Sequence, residues 1–338
     1  MKYLKLFENH RQYEDYVASG LTLPNVSHYI QEVEMHYDPY VHDYSQDYLT
    51  FEALEDGTFR FAKVINYSTD GGATWTEGSK VEVNNGDKIM WKAELTPASN
   101  EGLGNFSSTG NFNVEGNAMS LLFGDNFKGQ TDLTGKDFAF SYLFANCQKL
   151  ISAENLSLPA TTLAYYCYFA MFNGCRSLTT APQLLATTLA QYCYSSMFSG
   201  CRSLTTAPQL LATALAHGCY NSMFYGCTSL TTAPELPATA LTNACYYSMF
   251  YGCTSLTTAP ELPATTLASN CYGSMFSGCT NLNYIKAMFT TTPSTTYTKN
   301  WVSGVASSGT FVKNSAATWY VTGVNGVPAG WTVQTTSA

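Results

Sequence analysis

A 26-residue unit recurs five times between residues 150 and 282, and nothing else in the chain restricts the possible fold as strongly. Cys167, Cys193, Cys219, Cys245 and Cys271 stand 26 residues apart, as do Met171, Met197, Met223, Met249 and Met275 and, one step on, Cys175, Cys201, Cys227, Cys253 and Cys279. The unit reads L-T-T-A-P-x-L-x-A-T-x-L-x-x-x-C-Y-x-x-M-F-x-G-C-x-x. A period in this range marks copies that stack, because one such segment cannot bury its own apolar side and needs a neighbour on each face. In the third copy the apolar set is Leu204, Ala207, Leu210, Leu215, Cys219, Tyr220, Met223, Phe224 and Cys227.

Cys219, Met223 and Cys227 fall at i, i+4 and i+8, the spacing of one side of a helical turn or two. Gly226 interrupts that helix early, so a short or partly 3₁₀ segment is expected. The L-T-T-A-P piece predicts a strand of about four residues, stopped by Pro208. One short strand and one short helix per coil predict a leucine-rich-repeat-like solenoid. The fold class expected is therefore mixed α/β and all-β: an N-terminal attachment segment of small α+β type (1–47), an antiparallel β-sandwich (48–117), a solenoid of 26-residue coils (118–282, with 118–149 as N-terminal cap and degenerate first coil), and a C-terminal cap (283–338).

The run Met171-Phe172-Asn173-Gly174-Cys175-Arg176-Ser177-Leu178, with its later copies, resembles the BspA-like leucine-rich-repeat surface proteins of gut and oral Bacteroidetes over roughly residues 123–312. The Pro-Ala-Thr loops and dense tyrosines depart from that family's commonest form. The resemblance implies surface recognition or adhesion and brings no catalytic residues with it. The K-Y-L-K-L-F-E and L-P-N-V-S segments near the start are similar to those of structural proteins of Bacteroides phages, which implies a module that docks on other virion proteins.

Charge is unevenly placed. The net charge is −8, yet residues 1–147 carry −11 and the remainder +3. Neither part is a basic nucleic-acid footprint. Residues 150–282 hold only Glu154, Arg176, Arg202, Glu235 and Glu261 as charged side chains. So neutral a surface, rich in Tyr, Thr, Ser and Asn, suits a carbohydrate or protein partner. All 11 cysteines fall in the repeats, at two phases. An odd count in repeat columns argues against a disulfide framework, and same-phase cysteines stacked in one direction have poor disulfide geometry. Two ladders of buried thiols acting as small hydrophobes are expected, in a chain that folds in a reducing cytosol. Zinc is disfavoured, because no histidine column accompanies the cysteines; no cofactor is expected. The first residues show no signal-peptide pattern, and no stretch is long enough to span a membrane. A phage virion protein, folded in host cytosol and released by lysis, reconciles this with an outside role; a bacterial surface adhesin is the alternative.

Along the rest of the chain, a strand over 3–7 and a helix over 9–18 are expected. His36, Asp38, His42 and Asp43 form a metal candidate in an acidic, aromatic stretch, for which a linker or docking arm is the simpler reading. Alternating strands follow at 49–54, 58–61, 64–67, 88–95 and 106–114, with hairpin turns at Asp56-Gly57, Asp70-Gly71-Gly72 and Asn85-Gly86. The segment from Ser68 to Trp75 matches the Asp-box pattern S-x-D-x-G-x-T-W, which closes a hairpin; alone it is structural. Glycoside hydrolysis requires two opposed carboxylates, and the sequence singles out no such pair. Leu122-Phe123-Gly124 and Leu143 to Cys147 read as degenerate copies. A helix over 295–302, a last strand near 309–312, and end-covering Trp301, Phe311, Trp319 and Trp331 complete the chain.

Since packing occupies the invariant positions, recognition would fall to the variable ones. The candidate binding surface is Tyr165, Tyr166, Tyr192, Asn221, Tyr225, Asn243, Tyr247, Tyr251 and Asn270, whose side chains combine rigid contact area with adaptable hydrogen bonding. Drift on an exposed face explains the same variation, and lone His217 reads as solvated. The leading expectation is a non-enzymatic virion surface or fibre subunit binding a host-surface glycan or protein. Alternatives are a structural spacer, a secreted adhesin, and, least of all, a glycan depolymerase. Homo-oligomerisation stays open; nucleic-acid binding and membrane insertion are not expected.

Overall fold

The structure is a computed structural model that describes residues 42–337, almost all within the second of the chain's two compact units, Asp43–Ala338. The strand over 3–7, the helix over 9–18, and His36 and Asp38 lie outside the described residues.

Seven strands form one mixed sheet: β1 (Leu49–Ala53), β2 (Gly57–Ser68), β3 (Thr76–Val83), β4 (Lys88–Lys92), β5 (Phe106–Ser108), β6 (Phe112–Asn117) and β7 (Leu150–Ser157). Their order is β3-β2-β4-β1-β6-β7, with β5 beside β2. All pairs are antiparallel except β6–β7, which is parallel. Of the three expected hairpin turns one closes a hairpin: the chain reverses through Asp70-Gly71-Gly72 so that Tyr67 faces Thr76, whereas Asp56-Gly57 and Asn85-Gly86 link strands that do not pair, because β4 lies between β1 and β2, and β2 between β3 and β4. The expected β-sandwich is overturned, because every strand of 48–117 joins this single sheet. No second sheet is needed: Leu121, Phe127, Leu133, Phe140 and Leu143 share one buried cluster with Phe51, Phe59, Trp91 and Phe106. The only α-helix among the described residues is the four-residue α1 (Ser120–Phe123).

The expected leucine-rich-repeat solenoid, with a strand and a helix per coil, is also overturned. The protein is nearly all β, its sheets do not form a solenoid, and no named strand or helix lies between β7 and β8 (Tyr284–Ala287). Each copy is instead a run of four-residue turns. In the third copy these are 215–218, 219–222 and 223–226, and the last residue of each is left-handed: Gly218 at φ 59°, Ser222 at 54° and Gly226 at 68°. A left-handed residue at every fourth position forbids an α-helix. The backbone bonds alternate accordingly. Asn221, Met223 and Tyr225 donate their N–H groups back three residues, to Gly218, Tyr220 and Ser222, whereas Tyr220, Ser222, Phe224 and Gly226 donate forward to Cys245, Tyr247, Met249 and Tyr251 of the next copy. Two side chains per turn face inward: Cys219, Tyr220, Met223 and Phe224 are at most 1% exposed. The L-T-T-A-P segments give isolated parallel bridges such as Thr206–Thr232 rather than strands, because each proline removes the donor that would extend the ladder.

Stacking puts equivalent rings above one another. Phe144, Phe172, Phe198, Phe224, Phe250 and Phe276 form one column with centroids 5.4–5.7 Å apart. Tyr168, Tyr194, Tyr220, Tyr246 and Tyr272 form another at 5.6–6.0 Å. The sheet's Phe106 meets Phe144 at one end, and Trp301 meets Tyr272 and Phe276 at the other. The expected helix over 295–302 is overturned too: Asn300 and Gly304 are left-handed and continue the turn pattern. Beyond Trp301, β8, β9 (Thr310–Asn314) and β10 (Thr332–Thr336) make a parallel three-stranded sheet, so the strand near 309–312 is not the last. There Lys313 is buried, its ammonium donating to the carbonyls of Ala317 and Trp319.

The cysteines are free and buried. One column also bonds: the thiols of Cys175, Cys201, Cys227, Cys253 and Cys279 donate to the carbonyls of Phe144, Phe172, Phe198, Phe224 and Phe250 at 2.9–3.2 Å.

Candidate functional site

The third and fourth residues of each turn mostly face outward (Ala170, Ser195 and Ser248 are buried), and most of the variation between copies falls on them. Three turns per copy give three such rows along the stack. The first row carries Tyr165, His217 and Asn243 in third place and Tyr166, Tyr192 and Asn270 in fourth. The second carries Asn221 and Tyr247, and the third carries Tyr225 and Tyr251. Tyr165, Tyr225, Asn243 and Asn270 are exposed; the other five candidates are half-buried.

The structure joins these residues into two separate aromatic groups. Phe138, Tyr166 and Tyr192 stack at 5.2 and 4.8 Å, and Tyr165 meets the edge of Tyr166 at 4.4 Å. Burial, then the neighbouring tyrosines, pushes the Tyr166 phenol up to about 12, so it stays a hydrogen-bond donor. The stack ends over Gly218, where an added Cβ would lie 2.3 Å from the Tyr192 ring. His217 is not simply solvated: its Nε2 lies 2.6 Å from Tyr192 Oη. The second group is Tyr225 on Tyr251, stacked at 4.6 Å with 5° between planes. Among the described residues no ring contact joins the two groups, and Asn243 and Asn270 belong to neither. Three rows of sequence candidates thus yield two aromatic patches, and Asn221 and Tyr247 belong to neither.

A shallow groove of about 270 Å³ runs beside the third row. Gly174, Gly200 and Gly226 line it, preceded in the chain by Asn173, Ser199 and Tyr225 and followed by Arg176 and Arg202; Asn146 lines it as well. The glycines are left-handed, at φ 72°, 75° and 68°, and the Gly174 and Gly200 backbones lie so close that a Cβ on Gly200 would touch Gly174 Cα at 3.6 Å. Arg176 and Arg202 are exposed, and among the described residues neither guanidinium has an ion-pair or hydrogen-bond partner. Sequence reasoning noted these arginines only as charges. The signal available was their position, which is filled by Gln148, Arg176, Arg202, Thr228, Thr254 and Thr280 in successive copies.

The Asp-box holds its hairpin as its residues require. Thr74 donates its N–H to Asp70 Oδ1 at 2.9 Å and its hydroxyl to Oδ2 at 2.6 Å, and these bonds hold the exposed Asp70 carboxyl down at about 2. Trp75 packs on Tyr48, with the Lys92 ammonium 4.1 Å above its ring. Among the described residues no three His, Cys, Asp or Glu side chains gather into a metal site, and no helix is long and apolar enough to cross a membrane.

No family model matches the chain, and none of the curated proteins or solved structures compared with it matches either.

Proposed function

We propose that this chain is a non-enzymatic surface-recognition protein, a virion surface or fibre subunit or else a bacterial adhesin of the BspA-like kind, that binds a host-surface glycan or protein through the outward turn rows of its repeats. One observation carries this reading: the inward Cys-Tyr and Met-Phe pairs repeat unchanged, while the third residue of each turn differs between copies and assembles a stacked aromatic pair, Tyr225 on Tyr251, beside a groove. A flat ring backed by a second ring is a preorganised platform for a sugar face or an apolar side chain. The spacer reading is favoured by a different observation, the ring column that runs unbroken from Phe106 to Trp301. The full chain, passed over a panel of immobilised bacterial surface polysaccharides and envelope proteins, separates the two. Selective retention that Tyr225→Ser with Tyr251→Ser abolishes is the expected result, and retention by nothing on the panel favours the spacer.

A further inference from the structure

We infer that the groove between Asn146 and Tyr225 binds the carboxylates of an acidic polysaccharide, with Arg176 and Arg202 as carboxylate ligands and the Tyr225 ring as the wall that meets the sugar. This inference rests on the recognition reading above and names its ligand class.

The two arginines are not required by the packing of their copies. Thr228, Thr254 and Thr280 occupy the same position in later copies, whose inward pairs are buried in the same way. Gln148, one copy earlier, donates from Nε2 to the carbonyl of Gly174 at 2.6 Å; Arg176 and Arg202 make no such bond to Gly200 or Gly226. Two like charges one copy apart repel each other, and among the described residues no acidic side chain pairs with either. An anion placed between them removes that repulsion. Guanidinium groups are planar forks that hold carboxylates in bidentate pairs, and the arginines follow two of the three glycines that line the groove and line it themselves.

The remaining lining narrows the anion to a sugar acid. Asn173 and Ser199 offer amide and hydroxyl groups suited to sugar hydroxyls. Among the described residues no acidic side chain lines the groove. Tyr225 is 41% exposed and is supported from the next copy by Tyr251, so one face of a rigid ring remains for a pyranose. Two cations in a chain of net charge −8 are too few for nucleic acid, whose affinity grows with the number of phosphates neutralised. The groove is also open and follows the stack, as a polymer requires, and it is too shallow to enclose a small free ion.

The test uses calorimetric titration of the full chain with three acidic probes, oligogalacturonate, alginate oligosaccharide and sialyllactose, and with methyl-esterified oligogalacturonate as the neutral control. The variants borrow residues the chain already uses at those positions: Arg176→Thr with Arg202→Thr, and separately Tyr225→Ser. Binding of at least one acidic probe is expected, with the esterified control weaker and affinity reduced about tenfold or more in the arginine double variant. Tyr225→Ser should weaken the acidic and esterified forms alike. Equal binding of acid and ester, or an unaffected double variant, overturns the inference while leaving glycan recognition standing. Binding of none of the acidic probes overturns it as well, and retention of a neutral polysaccharide or an acidic peptide then decides whether the recognition reading survives.

Discussion

In the seven-stranded sheet the step along the chain to a partner changes from pair to pair, as Tyr67 with Thr76, Leu49 with Trp91 and Thr50 with Glu115 show, whereas in the turn stack half of the N–H groups find theirs at one fixed step, 25 residues further on, in the next copy. The rings differ in the same sense. Phe51 meets Phe59 at 89° and Phe106 at 70°, while Phe172, Phe198 and Phe224 lie within 3° of parallel. A core assembled from unlike residues can choose edge-to-face contacts. A core built by translation cannot, since every copy has the same rotamer and each ring must lie flat above the last. The sheet can therefore adjust a ring locally, but a column can adjust only if several copies move together.

The largest expected effect tests this difference directly. Phe224→Ala should cost about 5 kcal/mol and Phe59→Ala about 3, the two ends of the usual range, because the cavity in the column cannot collapse. Urea unfolding supplies the energies, and cysteine alkylation at pH 8 reports the stack, since every cysteine but Cys147, whose thiol bonds the sheet's Phe106 carbonyl, lies within the copies. Burial pushes the Cys227 thiol up to about 12 and Cys245 up to about 11, so native thiols remain protonated and unreactive until the copies separate. Equal costs at the two sites would end the comparison.

Glycines come next. Gly116 in the sheet has φ 78°, and a Cβ there would meet the Tyr48 carbonyl oxygen at 2.0 Å; Gly226 has φ 68° and open space around it. Gly116→Ala should cost about 3 kcal/mol, strain plus overpacking, and Gly226→Ala about 1–2, strain alone. Thermal unfolding that ranked them the other way would mean that the glycine row serves packing rather than conformation. Smaller again is Tyr168→Phe. The Tyr168 hydroxyl is buried without a hydrogen-bond partner, and Phe140 already occupies the equivalent place one copy earlier, so this variant should gain about 1 kcal/mol. A loss would show that the column depends on its hydroxyls.

The smallest effect belongs to the sheet. Asp70 titrates near 2 when folded against an ordinary value of 3.8, so its stabilisation is complete above about 4 and is lost as pH falls through 2. In Asp70→Asn the acid transition of Trp75 fluorescence should lose that component, while cysteine protection in the stack stays the same. A change in both would couple the two regions more tightly than the comparison allows.

Part of the sheet was legible because its information is local: Asp70-Gly71-Gly72 names its own hairpin, and the segments that form β1, β2 and β4 alternate. β3 was not legible, because most of its side chains are polar and exposed. That the strands make one sheet was not legible, because β7 lies more than thirty residues beyond its partner β6 and pairs with it in parallel. The C-terminal segment misled for another reason: 295–302 looked helical in isolation, yet its backbone accepts from the copy before it, as when Ser274 donates to Lys299. At the candidate site the variable residues could be named one by one. Nothing in the sequence placed Tyr192 against His217, or set Arg176 and Arg202 beside a groove of glycines, because these neighbours depend on which direction each turn presents.

The amino-acid order alone settles the period, the inward set of each copy and the hairpin at Asp70-Gly71-Gly72; burying an apolar set that recurs every 26 residues leaves stacking as the only outcome. It does not settle whether Cys219, Met223 and Cys227 lie on a helix or on successive turns, because over nine residues a step of four fits both. That choice is made only when a neighbouring copy accepts the N–H groups a helix would have kept for itself, and with it are fixed the left-handed positions, the outward rows and everything those rows bring together.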